Sequence, residues 1–291
     1  MRPNRCPGCY GANLESNHCI DCGWQLAFVD GFPAYAPELA RSGDGFDPAL
    51  HAELASLEAR NFWFRARNKL IVHALKTRMP TMGAFLEIGC GTGYVLSDII
   101  NAFPTLDAMG SELFTEGLGY AANRLPSVSL MQMDARRIPF RDCLDVVGAF
   151  DVLEHIAEDE HVLREIHGAL KPQGMLLLTV PQHPWLWSRQ DEYAHHVRRY
   201  HRRDLKAKLE NAGYAITWET SFVTLLLPLL MVSRMSPLKR VDDDPFVEFR
   251  IPRWLDASLY GVLRAEASLI NAGIRLPVGG SLMIAATKRS A

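Results

Sequence analysis

Two closely spaced cysteine pairs stand near the start of the chain. Cys6 and Cys9 form one C-x2-C pair, and Cys19 and Cys22 form a second pair after nine intervening residues. Two such pairs complete a closed tetrahedral four-sulfur site of the kind that holds structural Zn²⁺. Iron in the same site and two disulfides are the alternatives, and a reducing compartment disfavours the disulfides. The spacing therefore predicts a small zinc-binding module over residues 1–30 that resembles a zinc ribbon. A module this short has little core of its own, so we expect it to need the metal in order to fold.

A glycine-rich turn follows the apolar segment 84–88. It reads Gly89-Cys90-Gly91-Thr92-Gly93, with Glu87 two residues before it and Glu112 nineteen residues after its last glycine. Glycine lets the main chain approach a ligand closely, and a carboxylate about 20 residues further on is placed to bind ribose hydroxyls. Dinucleotide enzymes use G-x-G-x-x-G, whereas Tyr94 stands where that pattern has its last glycine. The spacing therefore disfavours an NAD-dependent oxidoreductase.

Later segments join this turn in a resemblance to class I S-adenosylmethionine (SAM) methyltransferases of types 11 and 23. Asp134 follows the third strand candidate, and Asp151 follows the fourth. The segment 170–177 resembles the family's Leu-Lys-Pro-Gly-Gly turn, with Gln173 in place of the first glycine. The resemblance covers about residues 84–180 and is specific for the cofactor rather than for the acceptor.

SAM carries a sulfonium and an amino-acid tail but no phosphate, so the resemblance implies a turn that packs against the amino acid and ribose. It implies that Glu87 suits the ammonium group, that Glu112 accepts both ribose hydroxyls and that Asp134 binds the adenine amino group. The implied cofactor-binding residues are Glu87, Gly89, Cys90, Gly91, Gly93, Glu112, Asp134, Ala135 and Asp151. Asp151 could equally cap the next helix.

His155 is the candidate catalytic base for the acceptor, because the pKa of a free imidazole is near neutral. The Glu154-His155 pair resembles that of quinone-biosynthesis and related small-molecule O-methyltransferases. A surface helix position is the alternative for His155. The chain contains no Asn/Asp-Pro-Pro-Tyr/Phe motif, which disfavours the amino-group methylases of DNA bases.

The segment 181–200 mixes aromatic, histidine and basic side chains, and six Arg or Lys residues fall between 198 and 208. One interpretation is an acceptor lid whose arginines clamp an anion. The other is the solvated start of a basic helix. Metal binding by His195 and His196, and nucleic-acid binding by the basic stretch, are minor alternatives.

Alternating apolar strands and helices must position these residues. Strand candidates begin at Ala84 and end with Ser281–Thr287, and helix candidates fall between most of them. Such alternation predicts an α/β fold with ligands at the carboxyl ends of the strands. The expected fold is a Rossmann-like, seven-stranded, doubly wound sheet with helices on both faces. The family implies that the last strand returns as a hairpin partner.

Three regions are expected: the zinc ribbon at 1–30, a linker with N-terminal helices at 31–80 and the SAM-binding methyltransferase domain at 81–291. The domain carries a predicted helical insertion at about 222–279 before its last strand. This insertion could cap the core, or it could form an apolar acceptor site and a peripheral membrane contact through 222–232.

Composition sets the limits on other functions. The chain has 291 residues, 48% apolar and 22% charged, with a net charge of −2, which excludes disorder and coiled coil for the whole chain. The apolar run 222–232 is too short for a spanning helix, and no signal-peptide core is present, so a cytoplasmic protein is expected. Of the six cysteines, Cys143 has no assigned role.

The combined prediction is transfer of a methyl group from SAM to a small-molecule or lipid-like acceptor, with oxygen the favoured atom and zinc purely structural. Two alternatives stay open. One is an RNA methyltransferase that uses the zinc ribbon for substrate docking, although nucleic acid is not the favoured partner. The other is a protein that binds SAM or a partner without turnover.

Overall fold

The computed structural model describes residues 2–15, 17–41, 48–235 and 250–289. Residues 42–47 of the predicted linker and 236–249 of the predicted insertion lie outside the described residues.

Four short strands occupy the N-terminal region. These are β1 Leu14–Glu15, β2 His18–Cys19, β3 Ala27–Val29 and β4 Phe32–Ala34. The first two pair with each other, and the last two form an antiparallel hairpin. Asp30 and Gly31 at its turn both have positive φ, as tight hairpin turns require.

The central sheet contains seven further strands. They are β5 Ala84–Ile88, β6 Asp107–Glu112, β7 Ser129–Gln132, β8 Leu144–Phe150, β9 Leu170–Pro181, β10 Tyr214–Phe222 and β11 Ser281–Lys288. Their order is β10-β11-β9-β8-β5-β6-β7, and β11 is antiparallel to both of its neighbours. The remaining neighbours run parallel. The predicted Rossmann-like sheet is confirmed.

The N-terminal hairpin extends this sheet beyond its predicted edge. Strand β4 pairs in parallel with β7 through Ala34 and Gln132, so the sheet of the described residues has nine strands. The Gln132 side chain completes the junction with hydrogen bonds to both backbone groups of Ala36. The sequence placed Phe32–Ala34 in a linker, because a three-residue strand is too short to show a periodic pattern.

Helices cover both faces of the sheet. They are α1 Pro48–Leu57, α2 Phe62–Arg78, α3 Tyr94–Ala102, α4 Thr115–Arg124, α5 Asp159–Ala169, α6 Arg189–Tyr193, α7 Arg202–Asn211, α8 Leu227–Met235 and α9 Arg253–Asn271. Buried side chains of α5 and α7 pack on one face, and those of α2, α3 and α4 pack on the other.

Helix α2 begins with the aromatic run Phe62-Trp63-Phe64. Asn61 caps it, because the side-chain oxygen accepts a hydrogen bond from the Trp63 N–H at 2.9 Å. The aromatic run that follows Asn61 therefore forms the first helical turn. Residues three and four apart share a helix face, so the guanidinium of Arg67 lies over the rings of Trp63 and Phe64.

The described part of the predicted insertion consists of α8 and α9. Glu266 on α9 is buried and accepts hydrogen bonds from the backbone N–H groups of residues 223–225, which fixes the turn that leads into α8. Asp256 joins α9 to α2 through an ion pair with Arg65. Among the described residues, no helix combines the length and apolar character needed to cross a membrane.

Replacing Gln173 with glycine is expected to stabilise the protein by about 0.5–1 kcal/mol. Gln173 is exposed and has φ 63, a left-handed conformation that costs a side chain energy but suits glycine. Thermal unfolding measures the gain. The control Ala207→Gly, at an exposed position inside α7, should lose about 1 kcal/mol. Equal losses in both variants would show that the Gln173 backbone is unstrained.

Candidate functional site

The glycine turn after β5 depends on three left-handed residues. Gly89, Gly91 and Gly93 have φ values of 67, 50 and 74. A Cβ on Gly89 would lie 2.5 Å from Val152, and one on Gly93 would lie 3.1 Å from Ala121. Among the described residues other than its chain neighbours, none has a heavy atom within 4 Å of a Cβ built on Gly91. Two glycines thus allow close packing, and the middle one faces open space.

That open space is a cavity of about 1110 Å³ beside the carboxyl ends of β5, β6 and β8. Of the ten residues predicted for cofactor binding and catalysis, nine line it: Glu87, Gly89, Cys90, Gly91, Glu112, Asp134, Ala135, Asp151 and His155. The exception, Gly93, packs against α4 behind the turn. The cavity therefore gathers residues separated by up to 68 positions in the chain.

Glu112 holds the glycine turn in place at the end of β6. Its carboxylate accepts hydrogen bonds from the backbone N–H of Gly91 at 3.0 Å and of Leu113 at 2.7 Å. Burial raises the pKa of Glu112, and these backbone hydrogen bonds oppose the increase. Each carboxylate oxygen can accept a further hydrogen bond, so Glu112 can still bind a ligand hydroxyl.

Glu87 is almost completely buried, yet one of its carboxylate oxygens, Oε2, has no hydrogen-bond partner among the described residues. Burial raises the pKa of Glu87 well above its ordinary value; Arg67 opposes this shift and Glu112 adds to it. An unpartnered buried oxygen is costly unless a donor meets it. Its position in the cavity wall fits a cationic or hydrogen-bond-donating group of a ligand.

The carboxylate of Asp134 is hydrogen-bonded to the nearby Arg136. Its Oδ1 accepts hydrogen bonds from both the backbone N–H and the Nε of Arg136, at 2.9 Å and 3.0 Å. Arg136 is also paired with Glu158 across the cavity rim. Any ligand amino group would therefore share the Asp134 carboxylate with Arg136, which the sequence pattern did not indicate.

Asp151 does not cap the helix that follows it. It has a left-handed φ of 58, and its carboxylate forms an ion pair with Arg67 of α2. Arg67 is buried and also acts electrostatically on Glu87 and Glu154. The sequence analysis did not predict Arg67 as a site residue. The pattern that could have indicated it is a basic residue one helical turn after the aromatic run 62–64.

Glu154 and His155 lie on a one-turn 3-10 helix, Leu153–His155, after β8. Glu154 is fully buried, and burial, followed by the charge of Asp151, raises its pKa well above its ordinary value. His155 lines the cavity with an exposed side chain. Desolvation by the protein around the ring, followed by the charge of His196, lowers the pKa of His155 to about 3. Its imidazole is therefore neutral at neutral pH.

The segment 181–200 closes the cavity on this side. The ring of His196 stands edge-on to that of His155, with centroids 4.7 Å apart. Its Nδ1 lies 2.9 Å from the buried Asp191, which also accepts a hydrogen bond from Arg199. Burial alone would raise the pKa of Asp191, but the hydrogen bond with His196 and the charge of Arg199 lower it to about 2.

The basic residues between 198 and 208 are mostly paired. Arg198 and Lys208 bind Asp159, Arg199 binds Asp191, and Arg202 and Lys206 bind Glu219. Five of the six basic side chains thus already face carboxylates. This stretch does not present the array of free cations expected of an anion clamp or a nucleic-acid surface.

The four N-terminal cysteines converge on one point. All four sulfurs lie within 4.8 Å of one another, with Cys6–Cys22 and Cys9–Cys19 separations of 3.7 Å and 3.6 Å. A tetrahedral site with Zn–S bonds of about 2.3 Å has sulfur–sulfur edges of about 3.8 Å, whereas a disulfide needs about 2 Å. The four thiols are free, and their arrangement fits Zn²⁺.

The cysteine-rich region docks away from the cavity. Arg5 forms an ion pair with Glu165 on α5 at 2.9 Å, and the backbone N–H groups of Asn4 and Arg5 donate to the carbonyl of Pro139. Within residues 2–41, as far as they are described, none lines the cavity. These contacts attach the region to α5 and to the loop that precedes β8.

Sequence comparison relates the cavity-forming part of the chain to known enzymes. Residues 86–178 match a family model described as a methyltransferase domain. A Mycobacterium tuberculosis protein named "Probable S-adenosylmethionine-dependent methyltransferase" is 28% identical over 164 residues, 55% of this chain and 58% of that relative. Trans-aconitate 2-methyltransferase of Variovorax paradoxus is 27% identical over 104 residues, 35% of this chain and 40% of that enzyme. The chain thus spans less than two thirds of either relative.

Solved structures share the fold at low sequence identity. SAM-bound phosphoethanolamine N-methyltransferase 2 of Haemonchus contortus gives a TM-score of 0.51 at 19% identity, covering 77% of this chain and 53% of that one. The [4+2]-cyclase SpnF gives 0.52 at 17% identity, covering 79% and 84%. The fold alone does not select a reaction. The family match and the relatives support a SAM-dependent methyltransferase.

Proposed function

We propose that this protein transfers a methyl group from SAM to an oxygen of a lipid-like or similarly apolar small acceptor. The observation that carries the proposal is one continuous cavity with two chemically different ends. One end holds the glycine turn with Glu87 and Glu112. The other is walled by apolar side chains of the helical insertion.

The residues at the glycine end suit the groups of SAM. Glu112 would accept hydrogen bonds from the ribose hydroxyls, and the unpartnered oxygen of Glu87 would accept from the ammonium group. Gly91 leaves space for the ligand, and Asp134 would share its carboxylate between Arg136 and the adenine amino group. When bound, SAM would supply an electrophilic methyl group whose leaving group is a neutral thioether.

The far end suits an apolar acceptor. Its walls come from α8 and α9 and from the first turn of α2, and its apolar side chains are Phe62, Trp63, Leu226, Leu229, Leu230, Leu255 and Leu259. Leu229, Val232 and Trp254 are 53%, 66% and 71% exposed. This apolar surface beside the cavity favours peripheral membrane contact through 222–232 as the route by which a lipid-like acceptor enters. The neutral imidazole of His155 can accept the proton of an acceptor hydroxyl.

The acceptor proposal is tested with methyl-labelled SAM and fractionated cell extract. Label is expected in the organic-soluble fraction, and it should disappear when the Glu112→Ala variant replaces the wild-type protein. Label in the RNA fraction would establish the RNA alternative. SAM binding without transfer to any fraction would establish a binding protein and overturn the enzymatic proposal.

The cysteine cluster is proposed to hold one structural Zn²⁺ per chain. The double variant Cys9→Ser/Cys22→Ser should contain almost no zinc and expose the N-terminal region to proteolysis, because structural zinc contributes about 10–16 kcal/mol to such small modules. Elemental analysis and limited proteolysis measure both effects. Cys143→Ser, which alters a cysteine outside the cluster, is the control and should keep its zinc. A wild-type chain without bound metal would contradict the assignment.

SAM affinity is expected to rise with pH over the range in which Glu87 titrates. Because burial raises the pKa of Glu87, part of the free protein carries a protonated carboxyl, whereas the cationic ammonium group selects the ionised form. Binding then releases a proton, so affinity rises by up to about tenfold per pH unit and levels off above that pKa. Calorimetry across a pH series measures this slope.

The variant Glu87→Gln should bind SAM more weakly and lose the slope, because the amide does not titrate. Glu210→Gln, at an exposed position on α7, is the control and should keep the wild-type slope. A slope that survives in Glu87→Gln would assign the titration to another group.

A further inference from the structure

A second group of metal-ligand side chains lies in the wall of the cavity, remote in sequence from the cysteine cluster. One ligand atom from each of Glu154, His155 and His196 lies within 4.8 Å of the other two. The first two residues follow β8, and the third belongs to the segment that closes the cavity. Only the fold brings them together.

Glu154 is the unusual member of this group. Its side chain is fully buried, and neither carboxylate oxygen has a hydrogen-bond partner on another described residue. The side chain nevertheless lines the cavity. A buried carboxylate with two unpartnered oxygens is unfavourable unless a cation or donor satisfies it.

One of the two imidazoles is oriented by a carboxylate. The Nδ1 of His196 lies 2.9 Å from the carboxylate of Asp191, which leaves the Nε2 of His196 available to a ligand. A carboxylate or carbonyl behind the imidazole is the usual arrangement that orients a metal-binding histidine.

The charged residues around this group leave Glu154 without a cationic partner. Asp151, Arg67 and Arg199 act electrostatically on Glu154, and the two guanidiniums are paired with Asp151 and Asp191. Among the described residues, no cation forms an ion pair with Glu154 itself. A bound cation would supply that partner.

We propose that Glu154, His155 and His196 bind a first-row divalent cation in the wall of the cavity. Two imidazoles and one carboxylate suit Zn²⁺, Co²⁺, Mn²⁺ or Fe²⁺ better than Mg²⁺, and three protein ligands leave coordination positions open. The role of this cation rests on the proposed function: it would bind the acceptor oxygen and lower its pKa. His155 then serves as a ligand instead of as the base, and the proton of the acceptor hydroxyl is released to solvent water when the oxygen binds the cation.

The test uses full-length protein loaded with a single equivalent of Zn²⁺ per chain, which the four thiolates of the cysteine cluster bind first. Equilibrium dialysis against Co²⁺ or Mn²⁺, followed by elemental analysis, should find about one further cation per wild-type chain. Bound Co²⁺ should give visible d–d absorption without a thiolate charge-transfer band, which separates this site from the cysteines.

The variants Glu154→Gln and His196→Ala should each bind this cation at least about 100-fold more weakly, since even orienting residues behind metal ligands are worth 10–100-fold. His195→Asn is the matched control: it removes an exposed imidazole from the same segment and tolerates the φ of 54 there, so binding should be unchanged. Thermal unfolding confirms that each variant is folded, and His155→Asn provides a third ligand variant.

A wild-type chain that binds no further cation, or ligand variants that bind it as well as wild type, would overturn the proposal. Because SAM and acceptor are absent from this measurement, its failure leaves the methyl-transfer proposal intact. Conversely, a protein that binds the cation but transfers no methyl group would overturn only the proposed function.

Discussion

Replacing Glu112 with alanine is expected to weaken SAM binding by about 100-fold or more. A carboxylate that accepts hydrogen bonds from two ribose hydroxyls makes two charge-assisted interactions, each worth about 1.5–3 kcal/mol. Losing both removes about 3 kcal/mol or more from the binding free energy. This is the largest loss of affinity expected from one side chain in the cavity.

The turn itself would also change. Glu112 accepts the backbone N–H of Gly91, and the variant leaves that donor without its carboxylate partner. Because Gly91 has a left-handed φ, the turn depends on such contacts to keep one conformation. Part of the lost affinity would therefore come from a less ordered binding surface.

Isothermal titration calorimetry with SAM measures the effect, and circular dichroism checks the fold. Glu210→Ala, which removes an exposed carboxylate from α7, is the control and should bind SAM as the wild type does. A folded Glu112→Ala protein with unchanged affinity would show that the ribose does not lie at the end of β6.

The second large effect is expected at Arg67, where methionine should destabilise the protein by about 3–5 kcal/mol. Arg67 is buried, pairs with Asp151 and opposes the pKa increase of Glu87. Methionine keeps much of the side-chain volume but leaves these carboxylates without their buried cation. Removing one partner of a buried ion pair is costly because the other charge stays desolvated.

The loss of stability in the Arg67→Met variant should grow with pH. Without Arg67, the pKa of Glu87 rises further above its value in the unfolded chain, so the folded state binds more protons than the unfolded state. Stability then falls as pH rises between the unfolded and folded pKa values. The variant should therefore lose more stability, relative to wild type, at pH 8 than at pH 5.

Urea unfolding at both pH values measures this difference. Lys76→Met is the matched control, since Lys76 is an exposed cation on the same helix, and its effect should stay within about 0.5 kcal/mol. If Arg67→Met is as mild as the control, the carboxylates around the cavity do not depend on Arg67.

Local patterns in the sequence were sufficient for the core fold and for the glycine end of the cavity. Alternating strands and helices predicted the Rossmann-like sheet, since hydrophobic periodicity reflects which face of each element is buried. The turn at 89–93 and the acids at 87 and 112 could be identified because their spacing is set by one strand–turn–helix unit. Five of the nine predicted residues that line the cavity lie between the start of β5 and the end of β6, and the other four follow β7 and β8.

Tertiary structure alone decided which charges meet. The pairing of Arg67 with Asp151 spans 84 positions, and that of Arg5 with Glu165 spans 160. The basic stretch after residue 197 turned out to face carboxylates on other elements. Sequence patterns report backbone conformation and burial, whereas ion pairing depends on which elements pack together across the chain. For that reason, the glycine end of the cavity and the Glu154-His155 pair could be predicted from the sequence, but the approach of His196 to that pair could not.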